Sequence, residues 1–301
     1  VWDNRPTPEF NFPLYQATDL INCHSHLTYE MCSENFPEKT NFIPHSLPPH
    51  TYFQMDDDRI MTEKVKMLGW QKRDNFVLFW VNRNARRKRP GDVLLSWKMF
   101  TDKVKERKGN VDASLIMHTD PFDQEGPNLL VMAEKLGISD SVLFSNQRVD
   151  FEQINLMHNI ADCCINLAYA EGFGLGTLES MQAGTPIIAS KTGGLTRQVV
   201  DHRDGSENGV ALDIKQQTLV GSQGVPYIYE DYCNVEDAAE AIFKIYEMNP
   251  NERKALGLKA KKYVEDEFNY QDTVDRWDET LWETIENFKN NKKDNFRLKT
   301  F

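Results

Sequence analysis

No apolar run in this chain approaches the roughly 20 residues of a membrane-crossing helix, and its first residues show no basic segment followed by an apolar one. We therefore expect a cytoplasmic protein without a transmembrane segment. Cysteine is scarce as well. Cys23, Cys32, Cys163, Cys164 and Cys233 are odd in number and show no Cys-x-x-Cys spacing. They read as buried or incidental thiols of a reducing compartment and not as a disulfide framework. Net positive charge is missing too: the formal balance is −11, whereas a general nucleic-acid binder needs a basic face that displaces counterions. There is no internal repeat and no low-complexity segment. What remains is 301 residues, enough for roughly two domains and a large buried core.

Strands and helices alternate along most of the chain. Strands are expected at 76–82, 113–118, 141–145, 163–167, 186–190 and 209–212, and helices near 91–106, 127–136, 151–159, 177–183, 194–200, 236–247 and 251–265. Such alternation is the pattern of a doubly wound α/β sheet, whose ligands bind at the carboxyl ends of the strands. Ahead of it lie a short strand (19–23), a short helix (27–32) and another strand (40–44), then a proline-rich break that places a linker near 44–58. Residues 215–231 read as an irregular surface loop. In the last helix, Tyr270, Val274, Trp277, Leu281, Ile285 and Phe288 recur at spacings of three and four, an apolar stripe that must bury against something.

Two stretches carry chemistry. Glu171 and Glu179 flank a glycine-rich turn, Gly172-Phe173-Gly174-Leu175-Gly176, ahead of a short helix expected from Thr177 to Ala183. The turn delivers unpaired backbone N–H groups and the positive end of a helix dipole, a site suited to a phosphate. By themselves the two carboxylates read equally as a solvated loop end and a dipole-satisfying residue. The second stretch packs five cations, Arg83, Arg86, Arg87, Lys88 and Arg89, into seven residues directly after the apolar strand Phe76 to Val81. On an acidic chain, cations at that place point to a small, highly charged anion such as a nucleotide diphosphate.

The run from Glu171 through Gly172-Phe173-Gly174-Leu175, with Leu178-Glu179, Met181, Gly184-Thr185-Pro186 and Gly193-Gly194, resembles the signature of the large retaining GT-B glycosyltransferase family, family 4, that includes sucrose synthases and many bacterial mannosyltransferases. The resemblance implies two Rossmann-like domains. Residues 1–47 would be a remnant of the N-terminal (acceptor) domain, 48–265 the nucleotide-sugar donor-binding domain, and 266–301 a C-terminal crossover helix and tail. It implies that Glu171 contacts the donor sugar, that the backbone of Gly172, Phe173, Gly174 and Leu175 approaches sugar and diphosphate, and that Glu179 holds the ribose. Arg83 and Lys88 stand at the family's five-residue spacing for the diphosphate cations. No metal or other cofactor is then expected, and the activity would be hexosyl transfer with retention, to a glycan, lipid or protein acceptor.

The chain departs from the family in two places. The first domain is short, so a fragment is expected, with a missing N-terminal domain or partner chain against helix 270–288. Leu195-Thr196-Arg197 follows the glycine pair where many relatives carry a Glu. Two other readings stay open: a non-catalytic nucleotide-sugar-binding domain and a nucleotide-sugar epimerase. A Rossmann dehydrogenase fits less well, because no Gly-x-Gly-x-x-Gly follows the first strand. His24 and His26 alternate on a strand end without an acidic or cysteine partner for a metal. His118, Asp120 and Asn146-Gln147-Arg148 close strands and are candidates for the ligand side of the sheet.

Overall fold

The computed structural model describes residues 8–221, 223 and 227–290. Its first part is a small unit made of α1 (Phe12–Ala17), β1 (Ile21–Cys23), α2 (His26–Ser33) and β2 (Thr40–Phe42). β1 and β2 pair in parallel, and Tyr15, Cys23, Met31 and Cys32 form the unit's own core. α2 begins where it does because the Ser25 hydroxyl accepts the backbone N–H of Thr28 at 3.2 Å, satisfying one of the orphan donors of the first turn.

After an irregular stretch comes α3 (Asp57–Leu68), a helix the sequence reading did not anticipate. None of its side chains is fully buried, although Ile60, Met67 and Leu68 pack against the core. What starts it is the run Asp56-Asp57-Asp58, with Asp56 accepting the N–H groups of Asp58 and Arg59.

There follow β3 (Phe76–Val81), α4 (Pro90–Lys108), β4 (Ala113–His118), α5 (Leu129–Leu136), β5 (Val142–Ser145), α6 (Phe151–Ile160), β6 (Cys163–Asn166), α7 (Leu175–Gln182), β7 (Ile187–Ser190), α8 (Thr196–Val199) and β8 (Gly209–Leu212). All six of these strands are parallel, in the order β5-β4-β3-β6-β7-β8. Helices cover both faces, and the strands show it. Phe76, Leu78 and Trp80 enter one core with Trp97 and Phe100 of α4, while Val77 and Phe79 enter the other with Leu178 and Met181 of α7. Alternate side chains of one strand are therefore both buried, the mark of a parallel sheet covered on two sides. Burying a side chain such as Phe79 contributes about 1.5–3 kcal/mol.

The strand order fixes where a ligand can go. From β3 the chain winds outward to β5, then returns to lay β6 on the other side of β3 and winds outward again. The loops leaving β3 and β6 consequently diverge, opening a crevice at the carboxyl end of the sheet.

Residues 215–231, expected as an irregular loop, contain an antiparallel hairpin of β9 (Gln216–Val220) and β10 (Ile228–Tyr232). Its residues are mostly polar because the hairpin lies on the surface and docks by one face, so no continuous apolar run announces it. α9 (Val235–Glu247) packs on α4. α10 (Pro250–Glu267) opens with a capping box between Asn249 and Glu252 and packs on α7. A Cβ at Gly257 of α10 would sit 1.9 Å from the Gly184 carbonyl oxygen. Gly257→Ala is thus expected to destabilise the fold by about 1–3 kcal/mol, read as a lower denaturation midpoint with an unchanged m-value.

α11 (Tyr270–Asn290) is held to the β1–β2 unit by polar contacts, Arg276 to the Phe42 carbonyl and Asn22 to Thr280. Its apolar stripe is not buried as expected: among the described residues Tyr270, Val274, Leu281, Ile285 and Phe288 stay exposed, and Trp277 alone is half-buried, beside His24. The tail at 291–301 lies outside the described residues. No helix among the described residues is long and apolar enough to cross a membrane.

Candidate functional site

The loop after β3 reaches the crevice through a short 3-10 turn, Arg86–Lys88. It ends at Arg89, the one non-glycine residue with positive φ (52°) among the described residues. That left-handed backbone is strained, and it is held by an Arg89 guanidinium bound to Asp92 at 2.7 Å and to the Cys233 carbonyl at 3.1 Å. The turn drives Lys88 inward. Its amine makes an ion pair with the Glu171 carboxylate, both side chains being about nine-tenths buried. Arg87 adds a second cation, 3.6 Å from the same carboxylate oxygen. Burial pushes the Lys88 amine below the usual lysine range, and Glu171 pulls it back only in part.

Arg83 is not part of this cluster. It is exposed and forks onto Asp123 at 2.7 and 3.2 Å, with Glu125 at 3.5 Å. The reason lies in the 3-10 turn. It sends Arg87 and Lys88 toward the loop after β6, whereas Arg83, before the turn, faces the acidic loop after β4, to which the Arg86 N–H is also bonded. Arg87, within the turn, stands beside Glu171.

Glu171 lies on the loop after β6, and glycine shapes that loop at two points. Gly174 takes φ 97° as the N-cap of α7. At Gly193 (φ 48°) a Cβ would lie 1.9 Å from the Glu171 carbonyl oxygen, and the Gly194 N–H donates to that oxygen at 3.1 Å. The loops after β6 and β7 interlock there. α7 starts at Leu175, two residues earlier than expected, because Gly176 lets its first turn press against Val81 at the end of β3. Gly172 and Leu175 are exposed at the loop, while the Phe173 ring is buried against His45 and Phe268. The Phe173 backbone is packed as well: its carbonyl accepts the Gln198 side-chain amide at 2.8 Å, and a Cβ at Gly194 would lie 2.4 Å from its Cα.

Glu179 occupies the second turn of α7 and has separate partners. The Tyr52 hydroxyl lies close enough to its carboxylate to feel its charge, and His158 Nε2 lies 3.4 Å away. Burial first, and the Glu179 charge second, raise the Tyr52 hydroxyl above its usual value. The His158 side chain is fully buried against Phe79, and its Nδ1 has no hydrogen-bond partner among the described residues. Neither Tyr52 nor His158 was singled out in the sequence, since each lies in an ordinary polar-apolar run far from the motif.

The remaining candidates scatter. His24 stacks on His45 at 3.9 Å and bonds the Ile43 carbonyl, whereas His26 pairs with Glu30 at 3.2 Å. Among the described residues no group of three or more His, Cys, Asp or Glu gathers as a metal would require. His118 bonds Ser145 at 2.9 Å across the ends of β4 and β5, and Asn146, Gln147 and Arg148 are exposed after β5. A cavity of about 730 Å³ opens beside Glu171, lined also by Arg87, by α2 and by the β9–β10 hairpin.

Residues 61–263 match the family model described as glycosyl transferases group 1. Over 284 residues the chain is 25% identical to N-acetyl-alpha-D-glucosaminyl L-malate synthase from Bacillus anthracis, covering 92% of this chain and 63% of that protein. Sucrose-phosphate synthase from Thermosynechococcus elongatus superposes with a TM-score of 0.69 at 20% identity, over 94% of this chain and 62% of that one. HepE from Anabaena, in complex with UDP-glucose, superposes with a TM-score of 0.69 at 16% identity, over 93% of this chain and 68% of that one. The chain spans about three fifths of the length of the first two. These likenesses make the fold GT-B in type, with a Rossmann-like parallel sheet.

Proposed function

The chain belongs to the glycosyl transferases group 1 family, and from that premise we propose that it transfers a hexosyl group from a nucleotide-diphosphate sugar with retention at the anomeric carbon. One observation carries the reading. A buried Lys88–Glu171 pair, flanked by Arg87, sits at the switch point of the sheet beside the glycine-rich start of α7. Lys88 and Arg87 supply fixed positive charge where a diphosphate leaves, and the backbone amides of the 172–176 loop add to it. Glu171 holds the donor sugar's hydroxyls. Glu179, oriented by Tyr52 and His158, takes the ribose.

In this mechanism the acceptor oxygen bonds to the anomeric carbon as the bond from that carbon to the diphosphate breaks. The electron pair leaves with the nucleoside diphosphate, which also takes the acceptor's proton. Cations and helix dipole offset the leaving charge, so no divalent metal is part of the proposal. HepE, solved with UDP-glucose, supports a uridine nucleotide as the first donor to try.

Calorimetry with UDP and UDP-glucose, followed by NMR of the product's anomeric proton, tests the reading. Micromolar UDP binding and an axial product from an axial donor are expected. Failure to bind any nucleoside diphosphate, or an equatorial product, would sink it. Epimerised donor without acceptor would favour a different activity. On the same reading, Tyr52→Phe removes the hydroxyl beside Glu179. It should weaken UDP binding by about 1 kcal/mol, roughly fivefold, in the same calorimeter.

A further inference from the structure

Arg89 joins the 3-10 turn that carries Lys88 to the start of α4, and it does so with a φ of 52°. A side chain with a Cβ resists that conformation, by roughly tenfold in population. The bend divides two sets of backbone bonds. Before it, the Lys88 N–H donates to the Ala85 carbonyl at 2.8 Å and the Arg89 N–H to the Arg86 carbonyl at 3.1 Å. After it, the Asp92 and Val93 N–H groups donate to the Arg89 carbonyl at 3.1 and 3.2 Å and open α4. The helix itself is fixed, because Val93 and Leu94 are fully buried in the core. A right-handed φ at Arg89 would run the turn on into that helix and swing Lys88 away from Glu171.

The Arg89 side chain is buried, and each of its guanidinium nitrogens has a partner. Nε donates to Asp92 at 2.7 Å, Nη1 to the Cys233 sulfur at 3.2 Å and Nη2 to the Cys233 carbonyl at 3.1 Å. The guanidinium carbon lies 5.2 Å from the centre of the Tyr232 ring. Asp92 belongs to the helix that Arg89 opens, whereas Cys233 lies 144 positions further along the chain.

This distant anchor is firm. The Tyr232 carbonyl accepts the Lys215 N–H at 2.8 Å, and the Tyr232 hydroxyl donates to the buried Glu230 carboxylate at 2.5 Å. Cys233 is buried in one core with Val210 and Leu212. Glycine would take the left-handed φ freely, so the backbone gives no reason for an arginine here; the guanidinium contacts do. Lysine, a single compact charge without a planar fork, could not make all of them.

We infer that Arg89 is the positioning residue of the cation turn: gripped by Asp92 and Cys233 and seated over Tyr232, it holds the left-handed bend that aims Lys88 at Glu171. The segment that closes the β9–β10 hairpin thereby sets the place of a charge on the loop after β3. The inference rests on the donor reading for what Lys88 meets, but not for the grip itself.

The test follows the Lys88 amine by NMR in the full chain, labelled with carbon-13 at lysine Cε, its signal identified by its loss in Lys88→Arg. The charged groups that face this amine are Glu171, from the loop after β6, and Arg87, from its own turn. Arg89→Gly keeps the bend available and removes the grip. Lys88 should then reach solvent and titrate about half a pH unit or more above the parent, nearer the ordinary lysine value of about 10.4. The UDP dissociation constant should rise about tenfold in calorimetry. Tyr232→Leu, which leaves the turn's own residues in place, should move both readings the same way by less, and it decides the matter if Arg89→Gly shows no cooperative unfolding transition. A folded Arg89→Gly whose Lys88 titrates as in the parent would overturn the inference. A parent chain that binds no UDP would remove the donor reading, and the Lys88 titration would still judge the grip.

Discussion

Lys88→Met is expected to lower the sugar-transfer rate by about 10²–10³-fold, the usual cost of removing a preorganised charge aimed at a leaving group. The substitution also leaves the Glu171 carboxylate buried with Arg87 as its remaining cation. Breaking one side of a buried ion pair costs about 3–5 kcal/mol, since the partner's charge loses its compensation. The two effects can be separated. Adding Glu171→Gln to Lys88→Met should restore much of the denaturation midpoint while leaving the rate low. A double variant that regains both would reduce Lys88 to a structural role.

The pH dependence of the rate follows from the same burial. Lys88 releases its proton below the usual lysine value because burial disfavours its charged form more than Glu171 favours it. If Lys88 is the proposed leaving-group cation, that charge is present at low pH and lost as the pH rises through the lowered value, so the alkaline limb should fall below about pH 10.4. Its effect on stability has the opposite sense. The unfolded chain keeps this proton more tightly, so the cost of burying the charged amine is present below the lowered value and is relieved as the pH rises above it. Lys88→Arg, which stays charged, should flatten the alkaline limb of the rate.

Glu179→Ala is expected to weaken UDP binding by about 10- to 150-fold, the loss of roughly 1.5–3 kcal/mol for hydrogen bonds to a charged group. The substitution also removes the carboxylate beside Tyr52 and His158, a change common to free and bound protein that is read in the denaturation midpoint and not in the UDP affinity. Glu179→Gln keeps an acceptor oxygen and should fall between the two. Calorimetry with UDP distinguishes the cases, and an unchanged dissociation constant for Glu179→Ala would remove the ribose from its role.

The parallel strands were legible because both of their faces are buried, so Phe76 to Val81 and Ile187 to Ile188 read as unbroken apolar runs. The glycine-rich turn was legible for a different reason. Gly174 and Gly193 hold backbone conformations that other residues resist, and that requirement shows in the sequence itself. Spacing singled out Arg83 and Lys88 and could not show that Arg87, inside the 3-10 turn Arg86–Lys88, lies beside Glu171. Nor could it reveal His158 and Tyr52, which meet Glu179 only through tertiary packing. The hairpin was missed for want of an apolar face: it lies on the outside of the core and reaches the cavity with Gln217, Tyr229 and Asp231.

The neighbourhood of β3 and β6 has a consequence for how the protein acquires its activity. Lys88 and Glu171 are 83 positions apart, and the strands that carry them become adjacent only after β4 and β5 have been wound on the other side. Contacts of such high sequence separation carry a loop-closure entropy that must be met before they stabilise anything. A chain with only the β3–β4–β5 half assembled would have a core but no anion cradle. On the proposed reading, nucleotide affinity would report the completed winding of the sheet, and bound donor would stabilise by mass action the joint between its two halves.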